Sequence, residues 1–207
     1  MGSLPDIPLP AGYRADWVLS YPGRDPDGLS ERVAGNSITK VLAPAGRAIR
    51  VEITICTGHA CVLADPGDMT AEEEAGISAA VFRMLGVSGD VSGLEARAAM
   101  DAPTARLLSR CGPGLRLPQT AGVFEAMCWA IVGQQVNLRF AGQLRRTLIE
   151  LAGIPHASGL KAHPTPASVA ALDPDLLGTL KFSRSKAAYL INAARSGIDF
   201  EGLPNGD

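Results

Sequence analysis

The stretch from Phe124 to Gly153 constrains the fold more than any other, because it predicts two helices joined by a very short turn. Apolar residues recur along both halves at the spacing of one helical face, and Gly133 interrupts that spacing. Asn137 can cap the second helix by accepting a hydrogen bond from a free backbone N–H group. The apolar stripes are Phe124, Met127, Cys128 and Ile131, and then Leu138, Ala141, Leu144, Leu148 and Leu151. The turn between the helices therefore presents two amide side chains, Gln134 and Gln135.

We call residues 133–137 the glutamine corner, and the sequence around it resembles a known signature. The string from Phe124 to Asn137 is similar to the Phe-Glu … Ile-x-Gly-Gln-Gln-x-Ser pattern of the DNA-3-methyladenine glycosylase II family, a branch of the helix-hairpin-helix DNA glycosylases. Asn137 stands where the family has Ser, and both residue types cap helices. The flanking strings GLRLP at residues 114–118 and PTP at residues 164–166 agree in order and spacing. Together the matching strings extend over about half of the chain.

The first hundred residues predict an α+β unit built on a small antiparallel sheet. Apolar and polar residues alternate from Val51 to Ile55, which is the period of a strand with one wet face. Thr70 and Glu73 form a capping box at the start of the helix that follows. The predicted strands are residues 37–42, 47–56 and 59–63. Before them, the proline-rich residues 1–12 predict an extended arm, and Asp27 or Ser30 can cap a short helix.

Helical patterns dominate the second half, so we predict an α+β domain over residues 1–100 and a helical domain over residues 101–207. The resemblance implies that the first domain is shaped like one repeat of TATA-binding protein. It implies that the second is the first part of the helix-hairpin-helix glycosylase core. The family's hairpin and catalytic Asp are then expected beyond Asp207. We therefore assign no catalytic residue and expect these 207 residues alone to release no base.

An enzyme that acts on a base in a duplex must turn that base out of the stack and fill the vacated space. The resemblance implies that the glutamine corner fills it, with Gln135 as the wedge and with Gln134 and Asn137 at the rim of the base pocket. The residues alone leave an alternative open. In that alternative both glutamines only satisfy backbone groups at a buried corner.

Alkylated purines such as 3-methyladenine are positively charged, and aromatic side chains bind such cations through their π faces. The resemblance implies that the N-terminal domain contributes an aromatic residue to the base pocket. Tyr21 is the best positional match, with Trp17 behind it. The alternative is that both are ordinary core aromatics. Trp129 lies beside the first apolar stripe and is predicted as a core or helix-interface residue.

The charge of the chain is uneven along its length. Residues 1–100 contain 8 Lys and Arg against 13 Asp and Glu, whereas residues 101–207 contain 11 against 8. The half that contains the glutamine corner is therefore the basic half, as a DNA-binding surface requires. The predicted phosphate contacts are Arg139 and Arg146, with Arg145, Arg184 and Lys186 as further candidates. A solvated helix face explains each of these residues equally well.

Cys56, His59 and Cys61 form a Cys-x-x-His-x-Cys string that offers three zinc ligands. Structural zinc normally takes four protein ligands, and the sequence shows no fourth nearby. We therefore expect no metal and no other cofactor.

The chain has no apolar run of membrane-spanning length, its start lacks the features of a secretory signal, and its four cysteines are too sparse for a disulfide scaffold. These observations predict a cytoplasmic protein with reduced thiols. The resemblance implies a base-excision repair glycosylase that hydrolyses the N-glycosidic bond of alkylated bases in double-stranded DNA. One alternative is a non-catalytic damage-binding or interaction module that kept the glutamine corner, and another is a fragment with exposed apolar helix faces.

Overall fold

An antiparallel sheet and a group of helices make up the computed structural model, which describes residues 1–22, 28–89, 91–111, 114–200 and 202. Two positions named above, Asp27 as a helix cap and Asp207 as the residue before the expected hairpin, lie outside the described residues.

The sheet has five antiparallel strands in the order β1-β5-β4-β3-β2. Its strands are β1 (Gly2–Pro8), β2 (Glu31–Ala34), β3 (Ser37–Leu42), β4 (Ile49–Ile55) and β5 (His59–Asp65). Helices α1 (Ala15–Ser20) and α2 (Ala71–Met84) accompany the sheet. Every second residue of β4 is buried, as the alternating pattern predicted. The sheet and the helices after it confirm the α+β class.

Both edge strands differ from the sequence prediction. Residues 2–8 were predicted as part of an unpaired arm, but they form β1 against β5. Leu4 and Ile7 are both buried although they are three positions apart, because the register shifts between them. That shift removes the period-two signal from the sequence. The segment after Ser30 was predicted as a helix but forms β2, which pairs with β3.

The second half of the chain is mainly helical, with one small hairpin, β6 (Ile154–Pro155) and β7 (Lys161–Ala162). The predicted cap at Asn137 is confirmed, since its Oδ1 accepts a hydrogen bond of 2.9 Å from the Phe140 N–H. In the described ranges, no helix is long and apolar enough to cross a membrane. The helices are α3 (Ser92–Met100), α4 (Ala102–Cys111), α5 (Val123–Gly133), α6 (Leu138–Ala152), α7 (Pro166–Ala170), α8 (Pro174–Thr179) and α9 (Arg184–Arg195). The predicted division after residue 100 falls between α3 and α4 and stays a prediction.

Three clusters of buried apolar residues hold the fold together. The first lies between the sheet and α2, and the second lies among α5 to α9. The third is smaller and joins the two halves, because Val41 of β3 packs with Leu160 and Ala162 at the β6–β7 hairpin. The Lys161 N–H also donates a hydrogen bond of 2.9 Å to the Leu29 carbonyl. The hairpin therefore fixes the helices against the sheet.

The apolar stripe of α6 is shorter than the sequence predicted. Ala141, Leu144 and Leu148 are buried, whereas Leu138 is 76% exposed and Leu151 is 39% exposed. Leu138 lies in the first turn of α6, where it lines an open cavity instead of a partner helix. Its exposure therefore follows from its position beside the glutamine corner.

Four charged side chains meet where the sheet contacts the helices, and we call Glu31, Lys40, Glu125 and Arg145 the charge quartet. Lys40 and Glu125 are buried, and Glu31 and Arg145 are partly buried. Lys40 Nζ lies 2.6 Å from Glu31 Oε2 and 3.1 Å from Glu125 Oε1. Arg145 Nη2 lies 2.8 Å from Glu125 Oε1 and 3.4 Å from Glu31 Oε1. Because β2, β3, α5 and α6 each provide one member, the quartet joins the two halves of the chain.

Replacing Arg145 by Met tests the quartet, and its neighbour Arg146 provides a matched control. Removing one partner of a buried ion pair leaves an uncompensated charge, so we expect Arg145→Met to lower the free energy of unfolding by about 3–5 kcal/mol. Arg146 is 2.8 Å from Glu150 in an exposed pair. Arg146→Met is therefore expected to cost less than about 1 kcal/mol. Urea denaturation measures both values, and equal losses would contradict a structural role for the quartet.

Candidate functional site

The glutamine corner is a sharp backbone reversal at the surface. Helix α5 ends at Gly133, Gln134 is extended, and Gln135 has a φ of 56°. A residue other than glycine in this left-handed region costs roughly 1–3 kcal/mol, and such strain is concentrated at functional sites. Both glutamine side chains are exposed, and neither forms a hydrogen bond with a residue that the structure describes. The alternative in which both amides satisfy buried backbone groups therefore does not match this geometry.

A buried lysine holds the corner in place. The Lys186 ammonium, from the first turn of α9, donates to the carbonyls of Ile131 at 3.1 Å, Val132 at 3.1 Å and Gln134 at 2.7 Å. These carbonyls lie at the end of α5, where no further turn of helix provides backbone N–H donors for them and where positive charge is favourable. All three donors of the ammonium are thus used. Lys186 is only 8% exposed, so the structure contradicts its proposed contact with phosphate.

Replacing Lys186 by Met should loosen the end of α5. Three carbonyls lose a charged donor, and hydrogen bonds to charged groups contribute about 1.5–3 kcal/mol each, so we expect a loss of at least about 2 kcal/mol in the free energy of unfolding. Arg184 is exposed two positions earlier in the same helix. The Arg184→Met control should change stability by less than about 0.5 kcal/mol. Thermal and urea denaturation provide the comparison, and an unchanged Lys186→Met protein would exclude this role.

A cavity of about 750 Å³ lies beside the corner, between the sheet and helices α5 and α6. Its volume is in the range of pockets that hold small organic groups. The first turn of α6 lines it through Leu138 and Arg139, so the cavity begins directly after the corner. The other lining residues are Tyr21, Pro22, Glu31, Ile38, Met84, Gln119, Thr120, Ala121, Glu125, Trp129, Gly142, Gln143, Arg145 and Arg146.

Two aromatic side chains, Tyr21 and Trp129, line the cavity. Burial and then the charge of Glu125 raise the pKa of Tyr21, so its hydroxyl is protonated at neutral pH. The Arg145 guanidinium lies 5.9 Å from the centroid of the Trp129 ring. The wall therefore combines neutral aromatic surface with the edge of the charge quartet.

The Glu125 carboxylate in the cavity wall is ionised and compensated. Burial opposes ionisation of Glu125, but the charge of Lys40, with a further contribution from Arg145, outweighs it and lowers the pKa of Glu125. Burial likewise opposes the charge on Lys40, and the two carboxylates raise its pKa above the ordinary value. Glu125 and Lys40 are therefore both charged at neutral pH and compensate each other.

The structure distributes the predicted site residues unevenly around the cavity. Tyr21 and Arg139 lie at its wall, together with Arg146, whose guanidinium also pairs with Glu150. Trp17 is not among the described residues of the cavity; it is 40% exposed, and the Arg14 guanidinium lies 5.5 Å from the centroid of its ring. Gln134, Gln135 and Asn137 lie at the corner, directly before the first turn of α6.

Sequence reasoning missed the cavity role of Trp129 and the burial of the charged residues Lys40, Glu125 and Lys186. Two of these had a readable signal, because Lys40 interrupts an apolar strand and Lys186 falls on the apolar stripe of α9 with Ala187 and Leu190. Charged residues at such positions are buried only with partners. The partners come from distant segments, so spacing could not identify them. Arg145, a candidate for phosphate contact, is instead bound within the quartet.

His163 lies beside the quartet and is the residue most sensitive to mild acid. Its Nδ1 donates to the Pro164 carbonyl at 3.0 Å, and its buried Nε2 has no hydrogen-bond partner among the described residues. Burial, opposed by the charge of Glu125, lowers the pKa of His163 to about 4. The ring is therefore neutral at pH 7.

This pKa predicts that the protein loses stability between pH 7 and pH 5. In the unfolded chain His163 has a pKa of about 6.5 and binds a proton below that pH, whereas in the folded chain it stays neutral down to about pH 4. The free energy of unfolding therefore falls as the pH falls, by about 2 kcal/mol at pH 5. Urea denaturation at pH 7, 6 and 5 measures the slope. In His163→Asn the slope should flatten in this window, and an unchanged slope would assign the effect to another group.

The chain is similar to known DNA repair proteins. Residues 128–202, which include the glutamine corner and Lys186, match the model of the HhH-GPD superfamily of base excision DNA repair proteins. The DNA-3-methyladenine glycosylase of Bacillus subtilis (strain 168) is 26% identical to this chain over 197 residues. That match covers 91% of this chain but only 64% of the relative, so the chain spans less than two thirds of that protein's length.

Solved structures of glycosylases share the fold. The 3-methyladenine DNA-glycosylase from Archaeoglobus fulgidus superposes with a TM-score of 0.80 at 18% identity, over 96% of this chain and 68% of that chain. The Clostridium acetobutylicum 8-oxoguanine glycosylase/lyase, solved with double-stranded DNA, superposes with a TM-score of 0.56 at 15% identity, over 80% of this chain and 54% of that chain. Because the Archaeoglobus match covers 96% of this chain, it includes the sheet as well as the helices.

Proposed function

We propose that this chain binds duplex DNA and inserts the glutamine corner into the space left by an extruded alkylated base, which enters the neighbouring cavity. The observation that best supports the proposal is the conformation of Gln135. An exposed amide is held in a strained left-handed conformation at the end of a helix, next to a cavity of about 750 Å³. The match of residues 128–202 to the model of the HhH-GPD superfamily supports damaged DNA as the substrate.

The corner is suited to a wedge because its shape exists before DNA binds. Extruding a base costs a few kcal/mol in lost stacking and pairing. An amide that enters the vacated space restores some contact with neighbouring bases and can donate to or accept from the unpaired partner base. Since Lys186 already fixes the backbone, binding does not have to order it.

The cavity suits a cationic base better than a neutral one. Tyr21 and Trp129 offer aromatic surface, and a cation over such a face gains about 0.5–2 kcal/mol. The charge quartet at the wall is balanced, so it does not repel a cation as an excess of positive charge would. The name of the Bacillus subtilis relative agrees with a methylated purine.

Phosphate contacts are assigned to Arg139 and Arg146, which lie on the face of α6 that follows the corner. Arg139 is exposed, and Arg146 can exchange its surface pair with Glu150 for a phosphate at small cost. Contacts of this type weaken as salt increases, because the release of counterions from the DNA into a more concentrated salt solution gains less free energy.

Hydrolysis of the N-glycosidic bond needs a carboxylate that can stabilise positive charge on the sugar. The two carboxylates in the described wall of the cavity, Glu31 and Glu125, are already paired with Lys40 and Arg145. This pairing supports a second candidate function for the 207 residues alone, a damage-binding module without base release. An incubation of methylated DNA with the chain decides between the two functions. Abasic sites in the DNA identify hydrolysis, whereas DNA binding without abasic sites identifies the damage-binding module.

Replacing Gln135 tests the wedge itself. We expect Gln135→Ala to bind a duplex with an abasic-site analogue about 5- to 10-fold more weakly, because the hydrogen bonds of the amide are lost. Fluorescence anisotropy measures the affinity, with an undamaged duplex as reference.

Two further variants at this position separate the amide from the backbone strain. Gln135→Gly removes the amide but accepts a positive φ, so it should fold more stably than Gln135→Ala and bind equally weakly. Gln135→Asn keeps an amide and tolerates the same conformation, so it should bind more tightly than both. The wedge would be ruled out if the DNA affinities of the three variants ranked in the order of their stabilities and did not depend on the presence of an amide.

A further inference from the structure

Two cysteines and a histidine gather on the outer face of the sheet, far along the strands from the charge quartet. Cys61 is opposite Thr54 in the β4–β5 register, and the Cys56 N–H donates to the His59 carbonyl at 2.8 Å. The inward positions of these strands are buried, so Cys56, His59 and Cys61 all project from the other face. Their sulfur and nitrogen ligand atoms lie within 4.8 Å of one another.

Strand β1, which the sequence did not predict, provides a fourth ligand, the carboxylate oxygen of Asp6. The register of β1 shifts between Leu4 and Ile7, and this shift places Asp6 next to the hairpin. Asp6 Oδ2 lies 3.9 Å from His59 Nε2.

The donor set selects a particular kind of cation. Thiolate and imidazole ligands suit zinc, whereas magnesium and calcium prefer oxygen. Zinc–sulfur bonds of about 2.3 Å in a tetrahedron place two sulfur atoms about 3.8 Å apart. The separations of up to 4.8 Å among Cys56, His59 and Cys61 therefore need a contraction of about 1 Å or less, and the exposed Asp6 carboxylate must also turn toward them. Cys56, His59 and Cys61 are only partly buried, so their side chains can make that adjustment.

We propose that Asp6, Cys56, His59 and Cys61 form a structural binding site for one zinc ion. The site has four protein ligands, as closed structural zinc sites do. A metal there links β1 to the β4–β5 hairpin and fixes the otherwise irregular edge of the sheet. The sequence prediction of no metal site depended on the absence of a fourth ligand, and Asp6 supplies it.

The chain also allows a competing use of the same thiols. Cys56 and Cys61 are free, and an oxidant can join them in a disulfide instead. A disulfide and a zinc ion exclude each other, because zinc binds the thiolates. The test therefore begins with fully reduced protein.

The experiment loads the reduced 207-residue chain, stripped with a chelator, with one equivalent of Zn²⁺. Native mass spectrometry should show one zinc per chain, and the melting temperature should rise by about 5–10 °C at a free zinc concentration 100 times Kd. Cobalt in place of zinc should give the visible spectrum of a tetrahedral site together with a thiolate charge-transfer band. That spectrum reports ligand type, which a nonspecific cation effect on stability does not.

Substitutions assign the ligands one at a time. Cys56→Ser and Cys61→Ser should abolish the charge-transfer band and the rise in melting temperature, and Asp6→Asn should weaken binding by about 10-fold or more. Matched controls are Cys128→Ala and His156→Asn, which remove a thiol and an imidazole elsewhere and should keep one zinc per chain. The proposal is overturned if the reduced chain does not bind zinc or if Cys56→Ser retains zinc. It is also overturned if the controls lose as much zinc as the ligand variants.

Discussion

The Lys40 ammonium is almost completely buried, between carboxylates that come from β2 and from α5. Taking these charges out of water costs several kcal/mol per ion, and only close geometry repays it. The sheet and the helices must therefore meet in one arrangement, in which Arg145 also reaches Glu125. That arrangement brings Tyr21 from one half and Trp129 from the other to the same cavity. The pocket proposed for a damaged base thus depends on a buried set of ion pairs.

A second buried cation determines the shape of the corner. Lys186 neutralises the end of α5 at the point where the chain reverses, and Gln135 adopts its left-handed conformation directly after the last carbonyl that Lys186 binds. Helix ends attract positive charge, so the same contact satisfies the backbone and stiffens the turn. Strain and rigidity at one exposed amide are what an inserted wedge requires. The two halves of the proposed site are therefore both organised by buried lysines.

Local patterns in the sequence predicted the central strands and most of the helices, but they failed at the two edge strands and at the contacts between elements. The caps at Thr70 and Asn137 and the alternation of β4 depend on neighbours within a few residues, and the structure confirms them. Strand β1 was missed because a shift in register hides its alternation, and the zinc ligand Asp6 was missed with it. Lys40 pairs with Glu125, which lies 85 positions away, and the carbonyls that Lys186 binds lie 52 to 55 positions away. No spacing rule covers such separations.

Hydrogen–deuterium exchange of the 207-residue chain, with and without a duplex containing an abasic-site analogue, tests the central claim most directly. The account predicts slower exchange at residues 133–139 and along the cavity-facing side of α6, with less effect from an undamaged duplex. The distant zinc ligands should be unaffected. Protection confined to other surfaces, or equal protection by damaged and undamaged duplexes, would contradict the assignment of the corner and cavity to an extruded base.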